Sequence, residues 1–285
     1  MNESITAAAH DGYVLVPEAG QGNKAIDEVQ AMVSNHEIEL PVMFQEMELD
    51  AALDELDQGR AAAVIAGATR PSGEVIIAGA RRFNPKRNEK GELDESGERQ
   101  RVSSYFKMIK DGEEPLVLTD CAVVVNPTAA DMVDIASLTC RNVARSGIEP
   151  VVAFLSFSTH GSGKGESAVK ATEAARLFSE AHPDIPNIGD VQWDAARRES
   201  IYELKTGNKY PGGKQPNVIV MPNLETGNSM YKSLEIDGGW TAIGPLLQGF
   251  EHDRQLHDLS RGVTTKALIA IIRDVARTSG LQVGN

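Results

Sequence analysis

Short apolar runs recurring between amphipathic stretches constrain this chain more than any other feature. Tyr13–Val16, Ala62–Ala66, Val151–Leu155, Val218–Met221 and Ile243–Leu246 have the length of buried strands and are too short for helices. The segments between them carry helical spacing, which argues for α/β layers over separate all-α and all-β halves. A hairpin is predicted for Ser103–Ile109 and Leu116–Val125, because Asp111-Gly112-Glu113-Glu114-Pro115 between them is turn chemistry.

Helix signals are sharper. Thr128 stands three residues before Asp131, a capping-box pattern opening a helix that Gly147 closes. Ala168, Ala171, Ala175 and Phe178 share one face of the next helix, which His182-Pro183 ends. Near the carboxyl end Leu268, Ile271, Ile272 and Val275 follow a Thr264-Thr265 start. These stripes read as core packing.

With 285 residues the chain exceeds one ordinary domain, so two lobes are expected. Its formal charge of −13 repels nucleic acid and anionic lipid, and neither is an expected partner. Cys121 and Cys140 are too few for a disulfide framework and lie at no metal-ligand spacing. They read as reduced thiols of a cytoplasmic protein. His252 and His257 lack a third ligand at a metal spacing, so no metal is expected. Met1 to Gly12 shows neither a basic start nor an apolar run, and no signal peptide is predicted. Val151–Phe157 and Leu268–Ile272 are too short to cross a bilayer. Asn84–Gln100 is highly charged and aperiodic, which predicts an exposed, disordered loop dispensable for folding.

Two polar segments and one carboxylate interrupt this pattern. Ser156 to Lys164 leaves a strand and enters a helix with hydroxyls, glycines and one lysine at the junction. Such a junction can cradle a phosphate through backbone N–H groups and a cation, or it can be a polar turn and nothing more. Leu224 to Asn228 follows the strand Val218–Met221, and on its own residues it reads as a Gly-Asn turn with left-handed backbone. Asp194 reads as a helix N-terminal carboxylate stabilised by the dipole.

An ordered series then narrows the field. Asp120-Cys121-Ala122 leads to Val125-Asn126-Pro127-Thr128 and, after a helix, Gly147-Ile148-Glu149-Pro150. Leu155-Ser156-Phe157-Ser158-Thr159-His160-Gly161-Ser162-Gly163-Lys164 follows, then Met221-Pro222-Asn223-Leu224-Glu225-Thr226-Gly227-Asn228 and Tyr231-Lys232. Ala242-Ile243-Gly244-Pro245, Gln248-Gly249 and Asp258-Leu259-Ser260-Arg261-Gly262 complete it. From about Pro115 to the carboxyl end, this series resembles the phosphate acetyl/butyryltransferases, which exchange acyl groups between phosphate and coenzyme A.

The resemblance implies two three-layer α/β/α lobes with an interdomain cleft, as in isocitrate and isopropylmalate dehydrogenases. Met1–Gln100 with Phe250–Asn285 would form the first lobe, the carboxyl-terminal helix returning to it, and Arg101–Gly249 the second. It implies Ser260 and Arg261 as catalytic residues, with Ser158, Thr159, Gly161, Ser162, Lys164, Asn228 and Arg70 binding substrate. Arginine suits this task because its planar fork grips phosphate bidentately. Coenzyme A enters as substrate, no cofactor or metal is implied, and a homodimer is the expected assembly. Three positions depart from the family pattern. Ala267 stands where an aspartate serves as base for the thiol, Ile236 where an arginine can occur, and Ile77 near another expected arginine. Arg70, Arg81 or Arg82 would supply that last charge. These departures carry an alternative expectation, a catalytically impaired member that binds coenzyme A or acetyl-coenzyme A as a regulatory protein.

Overall fold

The structure, a computed structural model, describes residues 12–84 and 102–283, which divide into two units. One comprises Met1–Val102 and Ile243–Asn285, the other Ser103–Ala242.

In the first unit β1 (Tyr13–Val16), α1 (Lys24–Ser34), β2 (Val42–Phe44), α2 (Leu49–Asp57), β3 (Ala61–Ala66) and α3 (Ser72–Phe83) follow one another. Two late elements, β10 (Leu256–Asp258) and α9 (Thr265–Thr278), join them. The sheet is parallel in the order β10-β3-β1-β2, with Val14 opposite Val42 and Ala66 opposite Asp258. The stretch between β1 and β3, which leaves room for few elements on sequence length, holds α1, β2 and α2. Each helix has a local cause. Asn23 Oδ1 accepts from Ala25 N and Ile26 N (3.1 and 3.2 Å), satisfying donors a helix start leaves open. Leu49, Ala52, Leu53 and Leu56 give α2 one buried face. Gly79 lets α3 lie directly on Leu256 of β10, since a Cβ there would overlap that side chain. In α9, Thr264 Oγ1 accepts from Ala267 N (3.2 Å), and Leu268, Ile271, Ile272 and Val275 are buried, as their spacing predicts.

The second unit contains β4 (Ser103–Ile109), β5 (Leu116–Thr119), α4 (Ala129–Arg145), β6 (Val152–Leu155), α5 (Glu166–Ala181) and β7 (Asn187–Val191). After them come α6 (Trp193–Arg197), α7 (Glu199–Thr206), β8 (Val218–Val220) and α8 (Leu224–Ile236). The six-stranded sheet has the order β7-β6-β8-β5-β4-β9, where β9 is Thr241–Gln248. The dividing line between the units falls inside β9.

Strands β4 and β5 form the predicted antiparallel hairpin, with Tyr105 opposite Thr119 and Met108 opposite Leu116. Strand β5 stops at Thr119, short of the expected Val125, because Asp120 turns the chain. Its carboxylate accepts from Ala122 N, Val123 N and Val124 N at 2.8–3.2 Å and from the Ser104 hydroxyl. Those amides are thereby lost to a sheet ladder. The capping box of α4 is formed, Thr128 N donating to Asp131 Oδ2 (2.8 Å) and Asp131 N to Thr128 Oγ1 (3.2 Å).

The expected loop Asn84–Gln100 lies outside the described residues apart from Asn84, whose place differs from expectation. Asn84 is buried, donates through Nδ2 to Gly249 O (2.6 Å) and accepts from Glu251 N at Oδ1 (2.9 Å). It anchors the end of α3. Among the described residues no helix is long and apolar enough to cross a membrane.

Candidate functional site

In the second unit the predicted segment leaves β6 and enters α5. Ser158 and Thr159 are buried, whereas Gly161, Ser162 and Lys164 are exposed. The loop's amides are already bonded, to the loop itself and to Asp190. Ser158 N donates to Ser156 Oγ (2.8 Å), Thr159 N to Ser162 Oγ (3.0 Å) and His160 N to Asp190 O (3.0 Å). Gly161 N donates to Asp190 Oδ1 (3.2 Å), Ser162 N to Thr159 O (3.1 Å) and Gly163 N to Ser158 Oγ (3.0 Å). The Thr159 hydroxyl is bonded twice to Gln192, through its side chain (3.2 Å) and its N–H (3.1 Å). The amides of Ser158, Thr159, Gly161 and Ser162 are therefore structural, and the donors left for an anion lie further on.

Gly165 precedes α5 as its cap residue and no described side chain caps the helix, so among the described residues the N–H groups of its first turn stay open beside the exposed Lys164. The approach is kept narrow by Phe157, whose ring lies where a Cβ on Gly163 or Gly165 would be. Phe157 is itself half exposed, an apolar wall next to open donors.

Asn228 stands elsewhere than its residues suggest. Gly227-Asn228 are not a left-handed turn; they lie inside α8, and Asn223 caps that helix by accepting from Thr226 N (2.9 Å). Gly227 is needed because a Cβ there would overlap the Asp120 carbonyl. Asn228 Nδ2 donates to Cys121 O (3.4 Å). Cys121 is buried, and burial, followed by the Asp120 charge, pushes its thiol far up; burial pushes Cys140 up to about 12. Neither is a nucleophile at neutral pH. Asp194 lies in the first turn of α6 as expected, and Lys205, whose Nζ lies 2.9 Å away, holds its pKa down.

The first unit gathers its polar groups at the carboxyl ends of β1, β3 and β10. Glu18 is buried and accepts from Gly67 N (2.9 Å), Thr69 N (3.0 Å) and Arg70 Nε (2.7 Å). Arg70, an expected substrate ligand, is thus the counter-ion of Glu18. After β10, Leu259 N donates to Ala66 O (2.6 Å), and Ser260 O accepts from Val263 N (3.0 Å) to close a turn. Ser260 Oγ accepts from Gly262 N (3.3 Å). Ser260 and Arg261 are exposed, and no described residue pairs with the Arg261 guanidinium.

Asp258, two residues earlier, is buried with Oδ1 unpartnered. Burial above all, and Glu18 after it, push its pKa up to about 6 against the Ser72 hydroxyl and the Leu259 N–H. The native protein therefore holds this proton more tightly than the unfolded chain. Stability is lost as pH rises from about 4 through 6, by about 3 kcal/mol for a carboxyl displaced from 3.8. Asp258→Asn is expected to raise the melting temperature at about pH 8 and to leave it nearly unchanged at about pH 4. Paired melts at the two pH values check this.

Ala267 is buried in the first turn of α9, and Ile236 is exposed at the end of α8. Ile77 lines a cavity of about 800 Å³ in the first unit together with Arg70, Arg81 and Arg82. Arg70 is engaged by Glu18, and Arg82 by Asp54 (2.5 Å) and Asp57 (3.2 Å). Among the described residues none pairs with Arg81, one helical turn beyond Ile77. Among the described residues no cluster could hold a metal ion.

Sequence reasoning passed over Gln192, Asp190 and Glu18. Glu18 had a usable signal, as a carboxylate directly after a buried strand. Gln192 and Asp190 act through contacts across the fold.

Residues 56–273 match the model of the phosphate acetyl/butaryl transferase family, beginning well before Pro115. Two phosphate acetyltransferases are each 39% identical, that of Nitrosomonas europaea over 171 residues and that of Clostridium acetobutylicum over 177. Each match covers 60% of this chain, but only 24% and 52% of those proteins. The chain thus spans a quarter to a half of the length of these relatives. In fold it is similar to a branched-chain phosphotransacylase from Enterococcus faecalis, with a TM-score of 0.74 at 18% identity, covering 94% of this chain and 99% of that one.

Proposed function

Because the chain belongs to the phosphate acetyl/butaryl transferase family, we propose that it moves a short acyl group between phosphate and coenzyme A. The observation that carries this reading is Arg261. It is an exposed guanidinium without a described partner, beside Ser260, at the carboxyl edge of a parallel sheet. Open α/β sheets take ligands at that edge.

In this proposal the coenzyme A thiolate attacks the acyl carbonyl, and the tetrahedral intermediate collapses with expulsion of phosphate. Arg261 and Lys164 neutralise the phosphate, the open first turn of α5 adds N–H donors, and the Ser260 hydroxyl meets the developing oxyanion. Ser158, Thr159, Gly161 and Ser162 shape the loop that presents Lys164. Arg70 holds its own loop through Glu18, and Arg81 supplies the cation that Ile77 lacks. A homodimer, a cytoplasmic location and the lack of any cofactor besides coenzyme A as substrate belong to the proposal. Ala267 provides no base, so the thiol must ionise unaided; a general base typically contributes about 10²–10⁴-fold, and turnover is expected to be slow.

The test is phosphate-dependent release of free thiol from a panel of short-chain acyl-coenzyme A esters. Release that requires phosphate supports the reading. A well-folded protein that binds coenzyme A yet turns over none of the panel would replace it with the regulatory role.

A further inference from the structure

We propose that Asp258 is a positioning residue that ties the anion affinity of the Ser260-Arg261 turn to its own protonation, through its place against Gly67 and Glu18. The inference rests on Arg261 being an anion ligand, and its test separates the two.

Three loops meet where Asp258 sits. Glu18 ends the β1 segment, Gly67 opens the β3–α3 loop, and Asp258 closes β10 immediately ahead of the turn. The contact with Gly67 is so close that any Cβ there would overlap Asp258 Oδ1, and Gly67 has a left-handed φ of +102°. That arrangement leaves Oδ1 dry and unpartnered. A buried carboxyl oxygen without a donor is expensive, and such expense concentrates where it serves function.

The charges around Asp258 decide what its ionisation does. From β1 it faces Glu18, and from the β3–α3 segment come Arg70 and the Ser72 hydroxyl. Arg70 is committed to Glu18 at 2.7 Å. The charged residues of α3 (Glu74, Arg81 and Arg82) line the outer cavity. His257, its neighbour on β10, accepts Leu247 N at Nδ1 (3.2 Å). Ionised Asp258 therefore adds a negative charge without a cation of its own beneath the turn that carries Arg261. Neutral Asp258 adds none. The burial and the Glu18 field that raise its pKa put this change near pH 6. An anion held by Arg261 should bind more weakly once Asp258 ionises, by about threefold or more for one charge several ångströms away in a partly aqueous medium.

Sulfate is the probe, because its charge does not change across this range. Its affinity is measured by calorimetry at about pH 5 and about pH 7.5 for the wild-type chain, Asp258→Asn and Arg261→Ala. Asparagine keeps the shape of the side chain and removes the titration. We expect wild-type affinity to fall about threefold or more between the two pH values, while that of Asp258→Asn changes less than about twofold. Histidine titration would appear equally in both proteins. A wild-type affinity that does not change, or an equal change in both proteins, overturns the role of Asp258 and leaves the proposed function standing. No sulfate binding at either pH, or binding that survives in Arg261→Ala, removes Arg261 as an anion ligand; the proposed function then loses its carrying observation along with this inference.

Discussion

Turnover of Arg261→Ala is expected to fall by about 10²-fold or more, with coenzyme A affinity altered far less. A group that only binds substrate changes the Michaelis constant, whereas one whose interaction strengthens as charge develops lowers kcat. In the proposed reaction phosphate gains charge as it departs from the tetrahedral intermediate, and Arg261 has no described partner to share its guanidinium. Its loss should therefore appear in the transition state. Truncation carries little structural cost, since the side chain is exposed and the turn is closed by Val263 N and Gly262 N rather than by the guanidinium. The adenine and pantetheine parts of coenzyme A lie away from the acyl group it would transfer, so coenzyme A affinity reports on folding independently. Wild-type turnover that Arg261→Ala retains in full would refute the role assigned to this arginine. Equal inertness of both proteins with coenzyme A binding preserved would point to the regulatory alternative.

Gly227→Ala should destabilise the protein by about 2 kcal/mol or more, against the usual sign of that exchange in a helix. Alanine is favoured over glycine in a helix interior by about 1 kcal/mol, so propensity alone predicts a gain. Here the new Cβ would overlap the Asp120 carbonyl and come within 3.0 Å of Cys121 Cα. Those are backbone atoms of a turn already fixed by the Asp120 carboxylate, and they cannot swing aside as a side chain can. Helix α8 must back away, and the contact of Asn228 with Cys121 O goes with it. Gly73→Ala in the first turn of α3 serves as the opposite case, because nothing lies within 4 Å of its Cβ position. Thermal melts of both variants should move in opposite directions.

What the sequence reveals depends on whether its signal is local. Thr128 with Asp131, the Asp111–Pro115 turn and the Ala168–Phe178 stripe lie within a few residues of the structure they specify, and each forms as expected. The short strands β7 and β10 were invisible, since Asn187-Ile188-Gly189-Asp190-Val191 and Leu256-His257-Asp258 break an apolar run with buried polar residues. Helix α1 carries a local signal in Asn23 ahead of Ile26 and Val29, but the strand after it, Val42–Phe44, is only three residues long and too short for its apolar run to frame a βα unit. In the site, residue types pointed rightly to a polar loop at Ser156–Lys164. Composition says nothing about which amides stay free, however, because Asp190 and Gln192 reach the loop only in the folded state.

The placement of β10 and α9 also governs the order in which the polypeptide can take shape during synthesis. The second unit is continuous in sequence, so a nascent chain carries nearly all its strands once α8 has left the ribosome. The first unit has by then been outside longer, yet the edge of β3 that pairs with Leu256–Asp258 is still bare, and α9 has not covered β1 and β3. Val64 and Ile65 on that edge are wholly apolar, the kind of open strand that recruits other chains. Vectorial synthesis thus inverts the order of the units, and the earlier-made one must wait for its last two elements to arrive.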